Sequence, residues 1–160
     1  MPNPAYAKLK INGSDIPGET SSKGMDGLIE VMELHHEVKT PTDIGTGLPS
    51  GQRIHGPVRL IKQIDKTSPK LYEALIGNHE VELEIYWYKA DDKGAMQNHF
   101  KHTLKKGRVS TIKLYMPYTR DPAKDRYTEL EEVSIVYGSI QWEHPIAAIE
   151  AIDEGWHARV

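Results

Sequence analysis

The chain has 160 residues, 38% hydrophobic and 27% charged, with eight histidines, no cysteine and a formal charge of −3 at pH 7. The length suits one domain with a core, the scattered and balanced charges give no electrostatic case for nucleic acid, and no apolar run approaches the roughly 20 residues of a membrane-spanning helix. Without cysteine, a disulfide framework and a thiolate nucleophile are excluded and the redox compartment stays open. The start, MPNPAYAKLKING, has neither a basic n-region nor an apolar h-region, so Sec export is not expected.

In chain order, a first strand is expected at 5–11. Residues 28–38 read as the next: Leu28, Met32 and Leu34 share one parity and Glu33, His35 and Glu37 the other, which puts the second set outside the core. The segment 39–56, KTPTDIGTGLPSGQRIHG, holds two prolines, four glycines and almost nothing apolar to pack. Unstructured connections beyond about 12–15 residues are uncommon unless functional or ordered by a partner. An extended arm reaching another subunit and a mobile surface loop both fit it.

A strand at 58–64 leads to Ser68-Pro69, a capping hydroxyl before a proline whose fixed φ suits a first helical turn. Leu71, Tyr72, Leu75 and Ile76 then form an apolar stripe, and Gly77-Asn78 supplies a left-handed stop. So short a helix is marginal alone and is expected to dock on a sheet or barrel. The plainest strand follows, with Val81, Leu83, Ile85 and Trp87 alternating with Glu82, Glu84, Tyr86 and Tyr88. Asp91-Asp92-Lys93-Gly94 turns the chain into a strand at 95–105, and Lys106-Gly107 is expected to reverse it again into 109–116. A second long connection at 117–129 is charged and turn-rich. A strand at 132–142 precedes the tail, 145–160, where Ile146, Ile149, Ile152 and Trp156 among charges predict a short helix or an interface arm. About seven strands and one helix predict a mainly β barrel or sandwich with consecutive antiparallel pairing.

The chemistry-bearing residues form no catalytic set. His99 and His102 would share a face of a helix, but a strand sends them to opposite faces, so solvated or hydrogen-bonded histidines are the simpler reading there and at His35, His36 and His55. Glu82 with Glu84 and Glu131 with Glu132 are read as the wet face or edge of strands. GxSxG, GxGxxG, HExxH and the P-loop pattern are missing, and the glycines at 45, 47 and 51 lack the lysine of a phosphate loop. Tyr86, Trp87, Tyr88, Tyr115 and Tyr118 offer stacking surfaces for sugars or bases, though strand aromatics most often fill barrels. The balance favours assembly or binding over catalysis, with no cofactor. A monomeric β-barrel that binds a metal or a sugar is the alternative.

Gly18-Glu19-Thr20, Ile29-Glu30-Val31, His55-Gly56-Pro57, the run IDKTSPKLYEAL at 64–75, Glu131-Glu132-Val133-Ser134 and Tyr137-Gly138-Ser139-Ile140-Gln141-Trp142 succeed one another along nearly the whole chain. In these motifs and their order the chain resembles the haemolysin-coregulated protein (Hcp) family, the inner tube of the bacterial type VI secretion system. The resemblance implies a small antiparallel β-barrel with one short helix packed against it, assembling as a homo-hexameric ring. Rings would stack into a tube inside a contractile sheath, be expelled with a spike at the tip, and carry and stabilise effector proteins in the lumen. It implies residence in the bacterial cytoplasm before assembly and secretion without a signal peptide, with no nucleic-acid partner and no membrane insertion. Some members add a C-terminal toxin domain, for which a chain ending at Val160 has no room.

Two placements follow for the site residues. Glu33 and His35, opposite in parity to Met32 and Leu34, are expected to face the lumen and contact effectors. Thr46, Gly47, Leu48, Pro49, Ser50 and Gly51, in the arm, are expected to contact a neighbouring subunit or ring. Ring closure requires that one patch of a subunit meet a different patch of the next.

Overall fold

The computed structural model describes residues 3–126 and 128–156. The chain opens with β1 (Ala5–Ile11), β2 (Ser14–Ile16) and β3 (Ile29–Val31), followed after one residue by β4 (Glu33–His35). Next come β5 (Val38–Lys39), β6 (Ile54–His55), β7 (Val58–Gln63) and the helix α1 (Ser68–Gly77). The remainder is β8 (Val81–Ala90), β9 (Met96–Tyr115), β10 (Leu130–Val136), β11 (Ser139–His144) and β12 (Ile149–Glu154).

All pairings are antiparallel, as the many turn signals predict. One sheet runs β12-β11-β9-β8-β1, with β2 and β3 on the outer edge of β1. The other runs β9-β10-β7-β4. β9, at 20 residues, belongs to both, its first half paired with β8 and β11 and its second with β10. At the opposite side the chain crosses from β3 on β1 to β4 on β7, where the Met32 N–H donates to the Ile61 carbonyl at 2.8 Å. With both seams stitched the ladder closes into a small barrel. Inside it pack Ala7, Leu9, Val58, Leu60, Leu83, Ile85, Leu104, Val133, Ile135 and Ile140, each large side chain contributing roughly 1.5–3 kcal/mol by burial.

Several local expectations change in this context. Residues 28–38 are two short strands, because the crossing resets parity at Met32: Ile29 and Val31 are buried, whereas Met32 is 51% exposed. Lys106-Gly107 bends β9 instead of reversing it. Lys106 takes φ 53° there, and Gly107 passes so close to β8 that a Cβ would lie 2.7 Å from the Val81 carbonyl oxygen. The strand expected at 132–142 breaks at Tyr137-Gly138 into β10 and β11, which follow β9 through the same bend. The tail is not a helix up to Glu154, since Ile149–Glu154 is a strand hairpinned onto β11.

α1 follows Thr67, which makes no side-chain cap, so the Ser68 hydroxyl is not the cap. Its stop is as expected: Asn78 is left-handed (φ 50°), and the His79 N–H donates to the Ala74 carbonyl at 2.9 Å. The buried face is Leu71 and Ala74 with Leu75 partly covered, while Ile76 is 84% exposed. At 100° per residue Tyr72 and Ile76 share the flank, not the contact face.

Candidate assembly surfaces

The arm at 39–56 has its own structure. β5 and β6 pair at its root, and a further bridge joins Thr42 to Pro49. Asp43 organises the tip: its carboxylate accepts from the N–H groups of Thr46 (2.8 Å) and Gly45 (2.9 Å), and its own N–H donates to the Leu48 carbonyl at 2.8 Å. The Thr46 N–H foremost holds the Asp43 carboxyl below its ordinary pKa. The Ser50 N–H closes the turn on the Pro41 carbonyl at 2.7 Å. Thr46, Gly47, Leu48, Pro49, Ser50 and Gly51 are thereby gathered at one exposed tip, beside a fully exposed Ile44. Ile44 and Leu48 are thus large apolar side chains exposed at this tip.

Glu33 and His35 project from β4 on the outer face of the second sheet, where their side chains, both more than half exposed, bond to each other at 2.5 Å. Register places Arg59 and Ile61 of β7 directly opposite them, and then Ser134 and Glu132 of β10 and Thr111 and Lys113 of β9. Directly opposite residues share a face. The face is therefore a mostly polar strip with charges of both signs, interrupted by Ile61, with an Arg59–Glu132 ion pair at 3.4 Å. Sequence reasoning missed Arg59, Lys113 and Glu132 as its members. The alternation of Val58, Leu60 and Lys62 with Arg59, Ile61 and Gln63 carried the signal for the first.

On the opposite face of that sheet, Glu131 contradicts its assignment to a wet strand face. It is fully buried, as is Lys62, and the two form an ion pair. Lys62 Nζ also donates to Asp65 (2.9 Å) and the Gln63 carbonyl (2.9 Å), and the Ser68 hydroxyl donates to Glu131 at 2.7 Å. The first turn of α1 seals this pair from water, so a carboxylate on the core side of β10 has its counter-charge supplied from β7.

A third cluster sits where the arm leaves the barrel. His55 Nε2 meets Asp153 of β12 at 2.7 Å and its Nδ1 meets the Tyr137 hydroxyl at 3.0 Å, which also contacts His36 Nε2 at 2.6 Å. Arg53 donates to both oxygens of Asp153, at 2.5 and 2.6 Å, and holds that carboxyl below its ordinary pKa. Behind His36 lies His102, whose Nδ1 accepts from Trp87 Nε1–H at 3.0 Å; burial first, then His36, lowers the His102 pKa to about 4. Among the described residues no group of three or more His, Cys, Asp or Glu is arranged to hold a metal ion, and no helix is long and apolar enough to cross a membrane.

Fold and surfaces define the class: a small antiparallel β-barrel that presents an ordered hairpin arm and an outer face carrying charges of both signs. A family model described as "Type VI secretion system effector, Hcp" matches residues 8–144. The major exported protein of Pseudomonas aeruginosa is 34% identical over 147 residues, 91% of this chain and 85% of that protein. A crystal structure of an Hcp protein superposes with TM-score 0.89 at 28% identity, covering 99% of this chain and 100% of the other. Hcp1 of the E. coli EAEC 042 pathovar does so with TM-score 0.83 at 32% identity, covering 94% and 97%. The chain belongs to the Hcp family. It is a type VI secretion tube protein, from a family of secreted structural subunits.

Proposed function

We propose that this protein, as a single domain over 1–160, closes into a homo-hexameric ring and that rings stack into the tube. Glu33 and His35, with the polar strip around them, face the lumen and contact effector proteins in transit. The tip Thr46–Gly51 contacts a neighbouring subunit or ring. The observation that supports this reading is an outer face of the second sheet carrying charges of both signs, together with an arm ordered by its own hydrogen bonds. The protein acts without catalysis, leaves the bacterial cytoplasm without a signal peptide when the surrounding sheath contracts, and travels with the spike.

Deleting Thr46 to Gly51 leaves a folded barrel that stacks poorly, seen as short or missing tubes in electron micrographs; tubes of unchanged length would count against the arm. Glu33→Ala and His35→Ala together leave the ring intact but lower the cellular level of a carried effector. An effector equally abundant beside the double variant would remove this face from the lumen.

A further inference from the structure

The core side of the second sheet runs on past the helix that seals it. Ile64 follows the buried Lys62 at the same parity, and Leu114 of β9 stands directly opposite the buried Glu131. Yet Ile64 is exposed, Leu114 is 58% exposed and Met116, just beyond, 74%. An apolar row of core parity that faces water marks an interaction surface. The 117–129 connection doubles back beside this row. Its 3₁₀ turn at Pro122–Lys124 is capped by the Asp121 carboxylate, which accepts from the Ala123 N–H at 3.0 Å, and its end is pinned where the Ile64 N–H donates to the Glu129 carbonyl at 3.4 Å. Row and connection enclose an open cleft of about 540 Å³, with Ile64, Leu114, Met116 and Pro117 as its apolar lining.

We propose that this cleft is the socket for the arm tip of a second copy of the chain, seated head to tail in the next ring. Arm and cleft lie at opposite ends of β7. His35 of β4 pairs with Arg59 and the arm rejoins the barrel at Val58, whereas the cleft opens after Gln63, which pairs with Leu130 beside Tyr115. The strand between them spans roughly 17 Å, and the arm's root is tied at the far end, where Arg53 and His55 both bond to Asp153. A copy displaced along β7 brings its tip to the cleft of the next, and the step repeats without closing, as a heterologous contact does in an open stack. The chemistry of the two surfaces agrees. The tip offers the exposed side chains of Ile44 and Leu48, which gain by leaving water. From Thr40 to Gln52 the arm carries one charge, Asp43, for which Lys124 in the cleft is the counter-charge, while Asp125 and Glu129 on the same walls disfavour a more acidic occupant. The inference rests on the reading that the tip reaches a neighbouring ring, and it names the surface that receives it.

The chain has no cysteine, so engineered thiols report alone. The full chain carrying Leu48→Cys with Met116→Cys, both at exposed positions, is concentrated, oxidised mildly and run on a non-reducing gel. Most of the 18.1 kDa band moves into a ladder that runs past six copies, because each disulfide joins one ring to the next. Leu48→Cys alone stays at the monomer band, as does Leu48→Cys with Glu73→Cys on the exposed side of α1. Met116→Asp, without added cysteine, leaves the mass of the ring unchanged and lowers the amount of sedimentable tube at least tenfold. A ladder that ends at six copies overturns the inference by placing the contact inside one ring, and a ladder equally strong with Glu73→Cys overturns it as non-specific. Tubes that shorten on deletion of Thr46 to Gly51 while the cysteine pair gives no ladder refute the socket alone. Tubes untouched by that deletion refute the reading of the tip as well.

Discussion

Replacing Glu131 tests the buried ion pair that fastens α1 to the barrel. Glu131→Gln keeps the volume and an acceptor at the same place but removes the charge opposite Lys62, whose side chain is 1% exposed. Breaking a buried pair by neutralising one partner costs about 3–5 kcal/mol, because the other charge stays behind in the low-dielectric interior. Asp65 still offers Lys62 a carboxylate at 2.9 Å, so the loss falls at the lower end, about 3 kcal/mol. With a urea slope of about 2 kcal/mol per molar, the unfolding midpoint drops by about 1.5 M. Lys62→Met is at least as costly, for it strands a carboxylate whose Oε2 is buried without a hydrogen-bond partner among the described residues. Lys62→Met with Glu131→Leu costs less than the sum of the single changes, since neither member of the buried pair is left charged and Asp65 keeps the Thr67 N–H and hydroxyl. The measurement is urea unfolding followed by tryptophan fluorescence at one fixed protomer concentration. Single variants within 1 kcal/mol of the wild type, or a double variant equal to the sum of the singles, would refute the argument.

Acid should weaken the fold before the carboxylates titrate. The folded pKa of His102 is lowered from 6.5 to about 4, so the stability gained from its neutral ring is complete above pH 6.5 and is lost as pH falls toward 4. At about 1.36 kcal/mol per unit the loss reaches about 3 kcal/mol. Thermal unfolding of wild type and His102→Gln between those limits checks it, and equal pH slopes would refute it. At the bend of β9, Gly107→Ala should cost more than about 2 kcal/mol, because its Cβ would meet backbone oxygens of Val81 at 2.7 Å and Val136 at 3.2 Å. Gly13→Ala has open space and only a positive φ to strain, so about 1 kcal/mol is expected. A melting-temperature order with Gly107→Ala above Gly13→Ala would contradict the close packing at the bend.

The parts of the fold legible in the sequence are those whose causes are local. β1 from Ala7 and β8 up to Tyr86 alternate between buried and half-exposed positions, and the turn at Asp91 to Gly94 joins two strands in register, its Asp91 carboxylate accepting from Lys93 and Ala95. A bend and a reversal look alike locally, since Lys-Gly serves either. The continuity of β9 is decided by β8 and β10 on its flanks, which lie far away in sequence. The Met32 crossover was invisible for the same reason: two three-residue strands of opposite parity read as one, with a parity that holds for β4 and fails for β3. The arm's length and solubility were readable, but its order comes from one carboxylate, Asp43, reaching forward to Gly45 and Thr46. Glu131 looked like an ordinary charged strand residue because its partner lies on another strand and its lid is a helix. The His55–Tyr137–Asp153 cluster joins three segments that only the folded chain brings together, so composition showed eight histidines and not which of them mattered.

Ring formation is tested most directly by the mass of the purified protein, read by light scattering behind a sizing column at two concentrations. A six-membered ring gives a species near six times the 18.1 kDa chain at both, unchanged in Glu33→Ala with His35→Ala and still six-fold after deletion of the arm tip. A monomer at both concentrations would contradict it.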